Sequence, residues 1–295
     1  MSLKHLLEMG PWDWPQDTGE RVAAVLRDGR AGAGERLAAV KMAGDHTLIN
    51  DELAGLLLGI VAGEAEPDDL RAAAAIALGP GLETASWCDD MGVGEPHFAD
   101  DDTMPFTMET WRRIQQTLLG VLRDERAPKE VRRRALEAAV RSPEDWHREA
   151  LLAAWESEDE EWRLTAVFGM EYVDGFDEQI VEALECGHPE IRYRAVRAAG
   201  NWEVGAAWTE IVEILDGGED DSELLMAAIR ASATINPSEA PVFIEEYLRS
   251  EDDEIVETAQ EAMGMARGLL DIEDEEEWDD EDDDEDGSEE DEPVH

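Results

Sequence analysis

The ten residues IRYRAVRAAG (Ile191–Gly200) recur along the chain in altered form, and that recurrence decides the fold. Related stretches are ERLAAVKMAG from Glu35, LRAAAAIALG from Leu70, VRRRALEAAV from Val131 and WRLTAVFGM from Trp162. Weaker copies are LLMAAIRASA from Leu224 and IVETAQEAMG from Ile255. The starts are separated by 35, 61, 31, 29, 33 and 31 residues, the long step being close to two periods. One column is uniform: the fifth position of each copy is Ala39, Ala74, Ala135, Ala166, Ala195, Ala228 and Ala259. The second position is Arg36, Arg71, Arg132, Arg163 and Arg192, then Leu225 and Val256. Gly44, Gly79, Gly200 and Gly264 close four of the copies. Self-similarity at a period of about 30 residues marks a repeat architecture, so a crowd of polar residues in one copy has to be judged against its siblings.

Each copy reads as an amphipathic helix, with apolar residues at i, i+4, i+5 and i+8. Acidic or Pro-containing caps precede most of them: PDD (67–69), DEE (159–161), HPE (188–190) and EDDE (251–254). Acids and Pro suit the positive end of a helix dipole. His188 occupies a cap position. A fixed Ala column implies close helix approach, since Ala adds little bulk and has the best helix propensity. Between the copies lie second amphipathic stretches, at 48–63, 108–124, 146–157, 176–187, 207–218 and 241–250. One helix pair cannot bury its own apolar face, whereas stacked pairs can. The expected fold is therefore all-α, an α-solenoid of about seven helix pairs.

The pattern of acidic cap followed by apolar–Arg–x–x–Ala–Val–x–Ala–x–Gly resembles the short HEAT repeat, in the form also found in phycobilisome-lyase-type proteins. The resemblance covers residues 20 to 268, with one interruption. It implies a right-handed superhelix and a bacterial HEAT-repeat protein. In HEAT-like arrays the repeated Arg pairs with acids of neighbouring repeats, so Arg36, Arg71, Arg132, Arg163 and Arg192 are expected to form a structural ladder. The function it implies best is a non-enzymatic protein–protein interaction scaffold or adaptor, binding a partner on the solenoid groove. The repeat subtype also raises a bilin-lyase-type role, in which a chromophore is attached or isomerised on a partner's cysteine. No residue of this chain matches a chemical role in that family. Fold alone does not decide between such roles.

The expected organisation is a cap segment at 1–19, the array at 20–268 with a loop insert at 79–106, and a disordered acidic tail at 269–295. The insert, GPGLETASWCDDMGVGEPHFADDDTMPF, has no helical period and holds Trp87, Cys88 and His97 beside several Asp. Its spacing matches neither a zinc motif nor a calcium loop, so no metal and no cofactor is expected. GPWDWPQD (10–17) is expected to lie against the first helix pair. The tail is low in complexity and self-repelling.

The 295-residue chain has 24 basic and 75 acidic residues, a formal net charge of −51. Eighteen of the acids lie between Asp271 and His295, where there is no Lys or Arg, leaving 57 acids against 24 bases elsewhere. Such a chain repels phosphate backbones, which excludes direct nucleic-acid binding. A basic protein partner suits it better, and an acidic sequestering role, as a DNA mimic, is a further alternative. Solubility or a salty environment explains the charge equally. Cys88 and Cys186 have no motif spacing and point to a reducing compartment. With no signal-peptide core and no membrane-length apolar run, the expectation is a cytoplasmic, monomeric protein.

No Gly-rich phosphate loop, nucleophile elbow or His-Glu-x-x-His run occurs, which points away from an enzyme. The middle repeats are richest in aromatic residues and Arg, the types enriched at binding hot spots. The candidate partner-binding residues are Arg134, Trp155, Tyr193, Arg194, Arg197 and Trp202, with Trp87 and His97 from the insert.

Overall fold

In the computed structural model, residues 2–90, 104–219 and 221–281 are described, with side chains over 2–86, 104–219 and 221–268. Every regular element among them is helical. The chain divides into two compact units, Met1–Gly175 and Phe176–His295, a division that falls inside the array expected at 20–268.

The first unit contains α1 (Leu3–Leu6), α2 (Thr18–Arg27), α3 (Ala33–Ala43), α4 (Asp51–Ala62), α5 (Asp68–Ala77), α6 (Gly79–Asp90), α7 (Met108–Arg123), α8 (Lys129–Ala139), α9 (Asp145–Trp155) and α10 (Glu160–Met170). Four helix pairs stand out: α2 with α3, α4 with α5, α7 with α8, and α9 with α10. The second member of each pair is a repeat copy, and these stack in order, α3 on α5, α5 on α8, and α8 on α10. The second unit contains α11 (Asp177–Leu184), α12 (Pro189–Asn201), α13 (Trp208–Asp216), α14 (Ser222–Ile235), α15 (Ala240–Ile244) and α16 (Asp253–Glu281). Its pairs are α11 with α12, α13 with α14, and α15 with α16, and α12, α14 and α16 stack in the same manner. Both units are thus built as α-solenoid stacks of helix pairs, seven pairs among the described residues.

The caps explain where the helices begin. Asn50, Thr107, Asp159 and Asp221 each accept a backbone N–H of the first turn with a side-chain oxygen. Pro67 and Pro128 occupy cap positions, and His188 Nδ1 accepts the Ile191 N–H at 3.4 Å. The Asn, Thr, Asp and His side chains satisfy donors that a helix start leaves open.

All seven residues of the Ala column are fully buried. The glycine that closes a copy meets the next copy at a fixed place. A Cβ on Gly44 would run into the Ala77 carbonyl group, with Ala77 Cα 2.8 Å away. One on Gly200 would lie 2.9 Å from Ala231 Cα, and one on Gly79 would lie 3.5 Å from Ala138 Cα. Ala77, Ala138 and Ala231 are the eighth residues of their copies, so one small-residue contact recurs within each unit. Gly264, in the last copy, has nothing within 4 Å of its would-be Cβ.

Two stretches differ from the sequence expectation. The first part of the 79–106 insert is helix, not loop: Gly79–Asp90 forms α6. Gly79, Pro80 and Gly81 read as breakers, yet Pro fits a first helical turn. Leu82 and Ala85 are then buried in the core that also holds Phe106. Helix α16 runs to Glu281, past the boundary at 269 where disorder is expected, and contains no Pro. At the N-terminus, Leu3 and Leu6 are buried, the Leu3 N–H reaches Glu35 Oε1 at 2.9 Å, and Trp14 Nε1 donates to the Leu6 carbonyl at 2.8 Å. Trp12 is 83% exposed.

Candidate partner-binding groove

In the second unit, the exposed faces of α12, α14 and α16 enclose a cavity of about 550 Å³. Helical spacing explains its lining. Tyr193, Arg197 and Asn201 lie at i, i+4 and i+8 on α12, and Met226, Arg230 and Thr234 hold the same positions on α14. Met265 holds the last of these positions on α16 and is 44% exposed. Such spacing puts each trio on one helix face. Gly200, Ala227 and Ala231 form a floor of small groups, and Glu223 stands at the side. Thr234 Oγ1 donates to the Gly200 carbonyl at 2.9 Å and ties α14 to α12 beneath the groove.

The charged residues that line the groove are Arg197, Arg230 and Glu223. Two guanidiniums approach the Tyr193 ring, Arg194 at 5.6 Å and Arg197 at 5.9 Å from its centroid. Arg194 also donates to Glu190 Oε1 at 3.0 Å. Arg230 donates to Thr258 Oγ1 at 3.1 Å and approaches Glu261 at 3.7 Å, where both side chains are more than half exposed.

On two repeat copies of the first unit the corresponding positions are filled. On α8 they are Arg133 and Glu137, with Arg141 just beyond its end, and on α10 Leu164 and Phe168, with Tyr172 just beyond its end. Arg133 and Glu137 are 4% and 5% exposed. Thr165 Oγ1 donates to Glu137 at 2.7 Å and accepts from Arg133 Nε at 3.0 Å. The Arg141 guanidinium lies 5.5 Å from the Phe168 ring and 5.3 Å from the Tyr172 ring and pairs with Glu83.

Of the residues singled out in the sequence, Tyr193 and Arg197 line the groove. Arg194 is one position round the helix, and Trp202 follows the end of α12, 38% exposed. Arg134 pairs with Glu130 at 2.8 Å and Glu137 at 2.5 Å. Burial and the neighbouring carboxylates act on it in opposite senses, and the carboxylates prevail, raising its pKa. Trp155 is 8% exposed, with the Arg163 guanidinium 4.6 Å from its ring. Trp87 belongs to α6 with its side chain outside the described set, and His97 lies outside the described residues.

The Arg column is not one uniform ladder. Arg36 makes a two-pronged pair with Glu66 at 2.6 and 2.8 Å. That hydrogen bond raises the Arg36 pKa and holds Glu66 below the ordinary carboxylate range. Arg192 approaches Glu219 at 3.5 Å. Arg71 and Arg132 instead donate Nε to the carbonyls of Val61 and Leu122, ten residues back, at 3.1 and 2.9 Å. Those carbonyls belong to the last turns of α4 and α7, where a cation meets the negative end of the helix dipole.

The groove residues missed in the sequence are Met226, Arg230 and Met265. Their signal was available as i, i+4, i+8 columns carried through consecutive copies. Among the described residues, no group of three or more His, Cys, Asp or Glu is placed to hold a metal ion, and no helix is long and apolar enough to cross a membrane.

A family model of HEAT repeats matches residues 178–264, the stretch that carries the groove. Over these residues the sequence carries HEAT repeats. No curated protein matches the sequence. Among solved structures, an engineered protein is similar at 20% identity, covering 73% of this chain and 96% of its own, with a TM-score of 0.43. Human deoxyhypusine hydroxylase in complex with glycerol is similar at 16% identity, covering 85% of this chain and 96% of its own, with a TM-score of 0.36.

Proposed function

We propose that this protein is a non-enzymatic interaction scaffold that holds a segment of a partner protein in the groove of its second unit. HEAT repeats suit a protein-interaction scaffold, and one observation carries the finer reading. In the second unit a cavity lies over the i, i+4, i+8 faces of α12 and α14, with Met265 of α16 beside it, and its lining includes Tyr193, Arg197, Met226 and Arg230. Corresponding positions on α8 and α10 are spent on Arg133–Glu137 and on Arg141 against Phe168 and Tyr172. Tyr and Arg are typical anchors of binding hot spots, and Met adapts its shape to a partner.

The test is a comparison of co-purifying proteins between the wild type and the variant Met226→Glu/Met265→Glu. Both substitutions are on the groove lining, and neither side chain is buried. A protein retained by the wild type and lost from the variant is expected. Identical co-purifying sets from the two would remove the groove from the interaction.

A further inference from the structure

We infer that the first unit binds a free α-amino acid, at a place where the Arg column lacks its carboxylate. The internal precedent is Arg36, whose guanidinium is held by Glu66, the residue before Pro67. The same step along the stack runs from Arg71 to Ala127, the residue before Pro128. Pro67 and Pro128 cap α5 and α8 in the same way, so Ala127 stands where Glu66 does, without its carboxylate. Arg71 and Ala127 both line a cavity of about 320 Å³, a size within the range of small-molecule sites. Arg71 is 6% exposed, and its Nε is spent on the Val61 carbonyl at 3.1 Å. Its two terminal nitrogens have no acceptor among the described residues, and no carboxylate there pairs with it. A buried cation held by one neutral carbonyl is costly. A carboxylate taken up by the terminal nitrogens would supply the charge-assisted bonds that Glu66 gives Arg36.

The rest of the lining decides which carboxylate. Asp124 is engaged by Arg126, through Nε at 3.1 Å and a terminal nitrogen at 3.3 Å. Asp68 and Glu64 remain, exposed and in no ion pair among the described residues. Asp68 precedes Arg71 by three positions on α5, and so shares its helix face. These two acids repel a plain carboxylate. A ligand with an ammonium beside its carboxylate meets both signs of charge: Arg71 takes the carboxylate and Asp68 the ammonium. That pairing of groups is the head of an α-amino acid. Bound there, it would tie α5 to the turn before α8, as Arg36 and Glu66 tie α3 to the turn before α5.

The experiment measures the melting temperature of the full chain with each protein L-amino acid in turn. Propionate and ethylamine serve as the carboxylate-only and ammonium-only controls. The expected result is a rise of about 2 °C or more with at least one amino acid at about 10 mM, and a clearly smaller one with either control. The amino acid giving the largest rise is then titrated by calorimetry into the wild type and two variants. Ala127→Glu puts the missing carboxylate into the chain itself, so it is expected to keep wild-type helicity and to lose binding. Asp68→Asn, at an exposed position, keeps the test open should Ala127→Glu not fold, and is expected to weaken binding about fivefold or more. No rise with any amino acid, or a propionate rise as large as the best of them, overturns the inference. So does binding that a folded Ala127→Glu chain retains in full, or that Asp68→Asn leaves unchanged.

Discussion

Gly44 stands against Ala77 with no room for a side chain: a Cβ there would lie 2.8 Å from Ala77 Cα and closer still to its carbonyl oxygen. The obstacle is backbone, so relief requires α3 and α5 to separate. Gly44→Ala is expected to destabilise the first unit by about 1–3 kcal/mol, as overpacking does. Gly264→Ala makes the opposite case, since the same column is open there and the residue lies inside α16. That substitution is expected to be neutral or to stabilise by up to about 1 kcal/mol through helix propensity. Denaturant melts of the two variants check the pair.

Glu137 holds together a buried cluster that the repeat pattern alone does not require. It is 5% exposed, accepts from Thr165, and faces Arg133 at 3.7 Å and Arg134 at 2.5 Å. Removing one member of a buried charge cluster leaves the others uncompensated, at about 3–5 kcal/mol. Glu137→Ala is expected to fall in that range. Glu137→Gln, which keeps an acceptor for Thr165, should cost less. Urea titration distinguishes the two.

His147 is fully buried, and its Nδ1 accepts the Glu144 N–H at 2.7 Å. The ring proton therefore sits on Nε2, which is buried without a hydrogen-bond partner. Burial pushes the imidazole down to about 4 from its ordinary value near 6.5. On acidification the unfolded chain takes up a proton below about pH 6.5, and the folded chain only near 4. Stability from this group is thus complete above 6.5 and falls as pH drops toward 4, by at most about 3 kcal/mol. Carboxylates held low by their partners, such as Glu66, add losses below that window. Melting temperatures across pH 7.5 to 4.5 should fall for the wild type and fall less for His147→Gln.

The fold was legible because its evidence is periodic. The Ala column read from seven copies is the column that the structure buries completely, and His188 is the cap that its position in the copy implied. Helix α6 was not legible, because Gly-Pro-Gly looks like a break until Leu82, Ala85 and Phe106 are brought together in one core. The groove was half legible. Selecting by residue type found Tyr193 and Arg197 but also Trp155, which is buried under Arg163. It passed over Met226 and Met265, because an exposed Met and a core Met are indistinguishable until the helix face is known. Arg133 and Arg134 contribute to the Arg-rich character of the middle repeats. Glu130 and Glu137, three or four residues away on the same helix, pair with both.

The most direct test of the groove as the docking surface is site-specific photocrosslinking. The full chain would carry benzoylphenylalanine either at position 226 in the groove or at position 41, an exposed place on α3 of the first unit. Illumination of the native extract should join position 226 to a defined segment of one protein and leave position 41 without that adduct. Crosslinking of the partner from position 41 and not from position 226 would place the interaction elsewhere and contradict the assignment.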